Sequence, residues 1–200
     1  MRSSRTGGSS ACAGSWRSKA GTVRRGTTFL RQIGTILLFL LAPHTAAQMN
    51  ASEPELKAAI LANMLLFVDW PAQPAQARDR LLLCHLGDSP VANALHQLDG
   101  KLIKGKPLQV LRVDPGKVAG CHALYFSPDD DAALTKTAAG LHTAKVLLAG
   151  DTPGYLQRGV MINLELVAGR VAFDIDLRAA RQSGLTVSSK VLQLARLVVK

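Results

Sequence analysis

Leu81-Leu82-Leu83-Cys84-His85-Leu86-Gly87 is the stretch whose reading decides the fold. Its apolar run is nearly unbroken and turn signals bound it at both ends, which is how a strand covered on both faces reads. Immediately downstream, Ser89-Pro90 places an N-cap and a proline at the first helical position, so a helix is expected to about Leu98, stopped by Gly100. Leu108–Val113 then alternates as a second strand, and Asp114-Pro115-Gly116 turns the chain. Cys121–Ser127 is a third, largely apolar strand. Pro128 opens a helix with Asp129, Asp130 and Asp131 in its first turn, where the helix dipole favours negative charge.

Further along, Lys145–Ala149 reads as a fourth short strand, and Gly150-Asp151-Thr152-Pro153-Gly154 as a loop. Val160–Val167 and Arg170–Asp176 flank Ala168-Gly169, the best hairpin signal in the chain. A short helix is expected over residues 177–183, with Gly184 just past its end, and a final helix from Ser189 to about Val198. Upstream of the central strand, Ser52-Glu53-Pro54-Glu55 is a capping box. Leu56, Ile60, Met64, Phe67 and Val68 follow at helical spacing, which predicts an amphipathic helix over 53–69 ended by Trp70-Pro71 and a polar linker over 72–79. The ordered set implies an α/β fold: a single three-layer domain with a mixed, largely parallel sheet flanked by helices, and a C-terminal β-hairpin plus helix.

The first fifty residues read differently. Ile33–Ala42 is an apolar run of ten, preceded by Arg24, Arg25 and Arg31 and followed by Pro43 and Thr45-Ala46-Ala47-Gln48. That is a basic n-region, a short h-region and a small-residue cleavage site. Ten helical residues span about 15 Å, half of a bilayer's hydrocarbon core, so an uncleaved anchor is the weaker reading. The expected organisation is an N-terminal extension and export signal over 1–47, cleaved after Ala47, and one α/β domain over 48–200 working in the periplasm.

Charge agrees with this division. The chain carries a formal net charge of +10, but seven of its 24 basic residues and none of its 14 acidic ones lie in 1–47, leaving +3 beyond them. The remaining Lys and Arg are dispersed, without the clustered cations that counterion release from nucleic acid requires, so no nucleic-acid partner is expected. Removing Cys12 leaves Cys84 and Cys121, an even pair in an oxidising compartment. They read as a structural bridge, a redox-switching bridge or two buried thiols.

No convergent catalytic constellation stands out, and the chain reads as a non-enzyme with no cofactor and no metal. In Cys84-His85 and Cys121-His122 adjacent side chains point to opposite faces of a strand, so neither pair chelates as a unit. Ser188-Ser189-Lys190 precedes an apolar run and reads as an N-cap. Asp174 and Asp176 share a strand face near its end beside Arg178, where a solvated or capping role is the simpler one. Phe67, Trp70 and Tyr155 could line a partner-binding patch or simply close the core.

Several segments resemble the YfiR-like (YfiR/HmsC-like) regulators. Lys57-Ala58-Ala59-Ile60 through Asn63 to Phe67-Val68-Asp69-Trp70-Pro71 is similar to their opening motif, and Cys121-His122-Ala123-Leu124-Tyr125-Phe126 to their Cys-His strand. Gly159-Val160-Met161-Ile162, Phe173-Asp174-Ile175-Asp176 and Ser188-Ser189-Lys190-Val191-Leu192 follow in the expected order, with Val160 replacing a glycine and Asp176 an asparagine. The resemblance implies a periplasmic, typically dimeric regulator that represses a membrane-bound diguanylate cyclase, or a sensor kinase, by contacting its periplasmic domain. Two other functions stay open: a small-ligand sensor using a crevice at the strand ends (Gly87, Ser127, Gly150), and a redox module built on Cys84 and Cys121.

Overall fold

In the computed structural model, residues 51–71, 79–141 and 144–200 are described. The export-signal reading of 1–47 and most of the expected linker fall outside the described residues.

The apolar run becomes β2, Leu81–His85, buried along its whole length. Parallel neighbours hold it on both sides: β4, Lys106–Arg112, in the register Leu83 with Val110, and β5, Ala123–Phe126, in the register Leu83 with Ala123. Between β2 and β4 the chain passes through α2, Pro90–His96, where the Ser89 hydroxyl accepts from Ala92 N at 3.0 Å. That cap satisfies one of the helix's orphan amides. Here α1 is the first helix, Glu53–Met64, with the Glu55 carboxylate reaching back to Ser52 N at 2.7 Å.

From β5 the chain enters a 3-10 turn and α3, Asp131–Leu141, then β6, Leu147–Gly150. Parallel β7, Ile162–Val167, turns tightly through Ala168-Gly169 into antiparallel β8, Arg170–Asp176. Both turn residues have positive φ, 49° and 76°, as a two-residue hairpin demands. A short α4, Leu177–Gln182, follows, its N-terminus capped by Asp176, which accepts from Ala179 N at 2.8 Å.

Among the described residues the main sheet holds eight strands in the order β10-β8-β7-β6-β5-β2-β4-β3. Here β3 is Leu102–Ile103, paired antiparallel to β4, and β10 is Leu197–Val199, parallel to β8. A separate two-stranded ladder joins β1, Val68–Asp69, to β9, Thr186–Val187. The molecule is thus an α/β domain with a mixed, largely parallel sheet flanked by helices. Its core contains Leu83, Leu124, Leu147, Leu148 and Ile162 at 1% exposure or less. Each such aliphatic side chain contributes about 1.5–3 kcal/mol of burial free energy.

Three expectations are corrected. The first helix does not run to Asp69: it ends at Met64, a 3-10 turn covers Leu65–Phe67, and Val68–Asp69 extend to pair with β9. Its buried residues are Lys57, Ala58, Leu61, Ala62 and Met64, whereas Leu56 is 40% exposed. The expected C-terminal helix stops at Leu192 (α5, Ser189–Leu192), and the Leu-Val-Val that follows becomes β10. Finally, Leu102-Ile103 and Lys106 onward form a hairpin about Lys104-Gly105, φ 52° and 76°, where no strand was expected before Leu108.

Candidate functional site

Trp70, Cys121 and His122, from two of the family-like motifs, meet at the end of the sheet where β2 and β5 begin. Trp70 leaves β1 and its indole Nε1 donates to His122 O at 2.9 Å, while the two rings meet edge to face with centroids 5.7 Å apart. His122 lies against the amino end of β2: its amide donates to Leu82 O at 2.9 Å, and its Nδ1 accepts from Leu82 N at 3.1 Å. This last bond fixes an imidazole with Nδ1 unprotonated. One residue earlier, Cys121 is bonded to Cys84, with Cα atoms 6.0 Å apart. Both cysteines are buried, at 2% and 1% exposure.

β2 and β5 are neighbours, but the bridge is not a lateral cross-strand one. Leu124 is the register partner of Cys84. Cys121 instead precedes the strand, at the exit of the 3-10 turn Pro115–Gly120. The bond therefore clamps that connection onto β2.

The hairpin β3–β4 closes over the outside of this end. Lys104 Nζ donates to Val68 O at 2.6 Å, forms an ion pair with Asp69, and sits 6.0 Å from the centre of the Trp70 ring. Lys101 Nζ reaches Asn63 Oδ1 at 3.2 Å. On the other side, Ser188 N donates to Phe67 O at 2.8 Å. These ties bring Leu66, 42% exposed, and Leu102, 69% exposed, to the same end as the half-buried Phe67 and Trp70. Exposed apolar and half-buried aromatic residues thus occur at this end beside Lys101, Lys104 and Asp69.

Tyr155 does not belong to it. At 1% exposure it is a core residue at the opposite end, and its hydroxyl donates to Ser127 O at 3.0 Å. Its ring lies over Gly150, where a Cβ would come within 2.7 Å of Tyr155 Cδ2. Burial pushes its phenol pKa up. The physical reason is that Gly150 has no side chain to fill the strand end, so the tyrosine does. Asp130 plays the same part over Gly87, where a Cβ would lie 2.9 Å from its Oδ1, while its other oxygen accepts from the Ser127 amide and hydroxyl at 2.8 Å each. The crevice marked by Gly87, Ser127 and Gly150 is therefore occupied by the chain's own side chains.

A buried ionic network missed by sequence reasoning lies nearby. Lys57 of α1, only 7% exposed, reaches Glu53 at 2.8 Å and Asp151 at 3.1 Å, and Tyr125 OH donates to the other Asp151 oxygen at 2.8 Å. Burial pulls the lysine's pKa down, but the two carboxylates outweigh it and leave the pKa raised. The Tyr125 phenol is pushed up, first by burial and then by the Asp151 charge. A lysine on a helix reads as solvated until its tertiary partner is known.

The other polar candidates are tied into the structure. Ser188 caps α5 through Lys190 N at 3.4 Å. Asp174 and Asp176 are buried rather than solvated, at 5% and 6% exposure. Asp174 pairs with Arg196, which also holds Glu165 at 2.7 Å, and Asp176 caps α4. Among the described residues no group of three or more His, Cys, Asp or Glu side chains is arranged to hold a metal ion, and no helix is long and apolar enough to cross a membrane.

A solved structure of a conserved domain protein from Vibrio cholerae O1 biovar El Tor shares this fold, with a TM-score of 0.51 at 15% sequence identity. The similarity covers 74% of this chain and 61% of that one. Comparison with known families matches residues 54–196, spanning the helix α1, the Trp70–His122 cluster, the disulfide and the Arg196 ion pairs, to one description. The chain belongs to the YfiR/HmsC-like family.

Proposed function

We propose that this protein is a periplasmic regulator that inhibits an inner-membrane diguanylate cyclase by binding its periplasmic domain, and that it does so as a homodimer. Family membership supports the regulatory role. The single observation that carries the binding mode is the surface at the Trp70 end, where exposed Leu66 and Leu102 flank Phe67 and Trp70 on a rigid, disulfide-clamped base. Apolar anchors with a polar rim on a pre-ordered support are what a protein-binding surface needs. The polar candidates Ser188, Asp174 and Asp176 serve caps and an ion pair.

The small-ligand alternative is weakened by Tyr155 and Asp130, which fill the crevice it requires. The redox alternative is weakened by the burial of both sulfurs. Deleting the gene in a host that carries the cognate cyclase is expected to raise cyclic di-GMP; an unchanged level refutes the inhibitory model. Leu102→Asp, at a 69% exposed position, is expected to relieve inhibition without lowering thermal stability. Full inhibition by that variant removes this surface from the contact.

A further inference from the structure

Where β8 ends, the 3-10 turn Leu156–Arg158, the first turn of α4 and the end of β10 border an open-mouthed cavity of about 240 Å3. Leu156 and Val199 form its apolar wall, and Asp176, Arg178, Gln157 and Gln182 its polar one. Asp176 is the recessed member, with a side chain only 9% exposed. Its Oδ1 is occupied in accepting from Ala179 N at 2.8 Å. Its Oδ2 lies 3.7 Å from Arg178 Nη2, close enough for attraction and too far for a hydrogen bond. Among the described residues Oδ2 accepts no hydrogen bond. A carboxylate oxygen so nearly buried is costly without a donor, and the cavity is where a donor can enter. Arg178 stands at the rim, 61% exposed, with N–H groups to give.

We propose that this cavity binds the vicinal diol of a small neutral polyol or monosaccharide. One hydroxyl donates to Asp176 Oδ2, and its neighbour accepts from the Arg178 guanidinium. A hydroxyl both donates and accepts, so two held side by side on one C–C bond match an acceptor and a donor that face each other without touching. Charge balance selects a neutral ligand. Asp176 and Arg178 already offset each other, and a charged ligand would have to draw them apart.

The exposed amides of Gln157 and Gln182 each add an acceptor and two donors for further hydroxyls, while Leu156 and Val199 meet the C–H surface of the ligand. The volume falls below the roughly 300–1,000 Å3 of sites for drug-sized molecules, which fits a single ring or a shorter chain. This cavity is separate from the crevice that Tyr155 and Asp130 fill, shares no lining residue with the Trp70 surface and does not depend on the regulatory role.

The test is a proton–nitrogen NMR titration of the full chain with D-glucose and with glycerol, beside cyclohexanol, which has a ring but no hydroxyl pair. The expected result is saturable shifts at the Arg178 and Ala179 amides and at the side-chain amides of Gln157 and Gln182. Affinity is expected to fall about tenfold or more in Asp176→Asn, which loses the carboxylate acceptor. Asparagine caps a helix as well as aspartate, so that variant is expected to fold as the parent does. Arg178→Ala, at an exposed position, is expected to weaken binding likewise. Shifts with glucose alone identify a sugar ring, and shifts with glycerol alone identify a glycerol-type group; either supports the site. Cyclohexanol moving the same signals as strongly overturns it. So does unchanged affinity in both variants, or no saturable shift with either diol up to about 0.1 M.

Discussion

Removing the disulfide with Cys84→Ala and Cys121→Ala tests how much of the stability rests on the clamp beneath the Trp70 surface. The bridged residues are 37 apart in sequence, a loop of about 38 residues. In the chain-entropy relation the bond removes about 13 cal/mol/K from the unfolded ensemble, which is about 4 kcal/mol at 25 °C. For the unit spanning Met49–Lys200, an unfolding entropy of about 2.1 cal/mol/K per residue sums to about 0.3 kcal/mol/K. The expected fall in Tm is therefore about 12 °C, measured by circular dichroism at equal protein concentration. Reduction supplies a second measurement. With both sulfurs buried, dithiothreitol is expected to reach them only through unfolding, so the reduction rate should track the unfolding rate across urea. A Tm loss below about 3 °C refutes the loop-entropy account. Fast reduction of the folded protein would instead support a redox switch.

Three further outcomes are expected. Lys57→Met leaves the buried Asp151 carboxylate without its lysine, still accepting from Tyr125, and should cost about 2 kcal/mol in urea titrations, reduced from the cost of breaking a fully buried pair because Glu53 is water-accessible; Lys57→Met with Asp151→Asn should recover part of it, and equal losses in single and double variants would contradict the coupling. Gly150→Ala drives a methyl group into the Tyr155 ring, which the Ser127 bond holds in place, and should cost about 1–3 kcal/mol; an unchanged urea midpoint would show that the ring moves aside freely. Because the His85 pKa is lowered on folding, its unfolded form binds more protons below about pH 6.5, so stability should be constant above that pH and decline as pH falls toward the folded value; His85→Asn should flatten this decline, and an unaltered slope would assign it to other groups.

The parallel core was legible because its strands are covered on both faces, so Leu81–Leu83 and Leu147–Leu148 appear as unbroken apolar runs. The caps at Ser89 and the Ala168-Gly169 turn were legible because they depend on neighbours in sequence. What was misread depends on distant partners. Leu197–Val199 has the apolar content of a helix end, and only pairing with β8, reinforced by Arg196 on Asp174, makes it a strand. In the first helix, counting large apolar residues selected Met64, which is buried, but also Leu56, which is exposed, and passed over the buried Ala58 and Ala62. At the candidate site, Trp70 and the cysteines were identifiable as residues of interest. Of the two roles left open for Tyr155 the core one holds, and nothing in its local sequence tells that Gly150 opens a space for its ring.

The ladder between Val68–Asp69 and Thr186–Val187 has a kinetic corollary. It joins segments from opposite ends of the domain, the most costly kind of loop closure for a folding chain, and such contacts form late. Phe67 and Trp70 flank that ladder, and Ser188 bonds directly to the Phe67 carbonyl. The face proposed for the partner is thus assembled only when the domain closes on itself. On the proposed function, a chain whose domain has not closed lacks its binding surface, so binding competence becomes its own proof of completed folding.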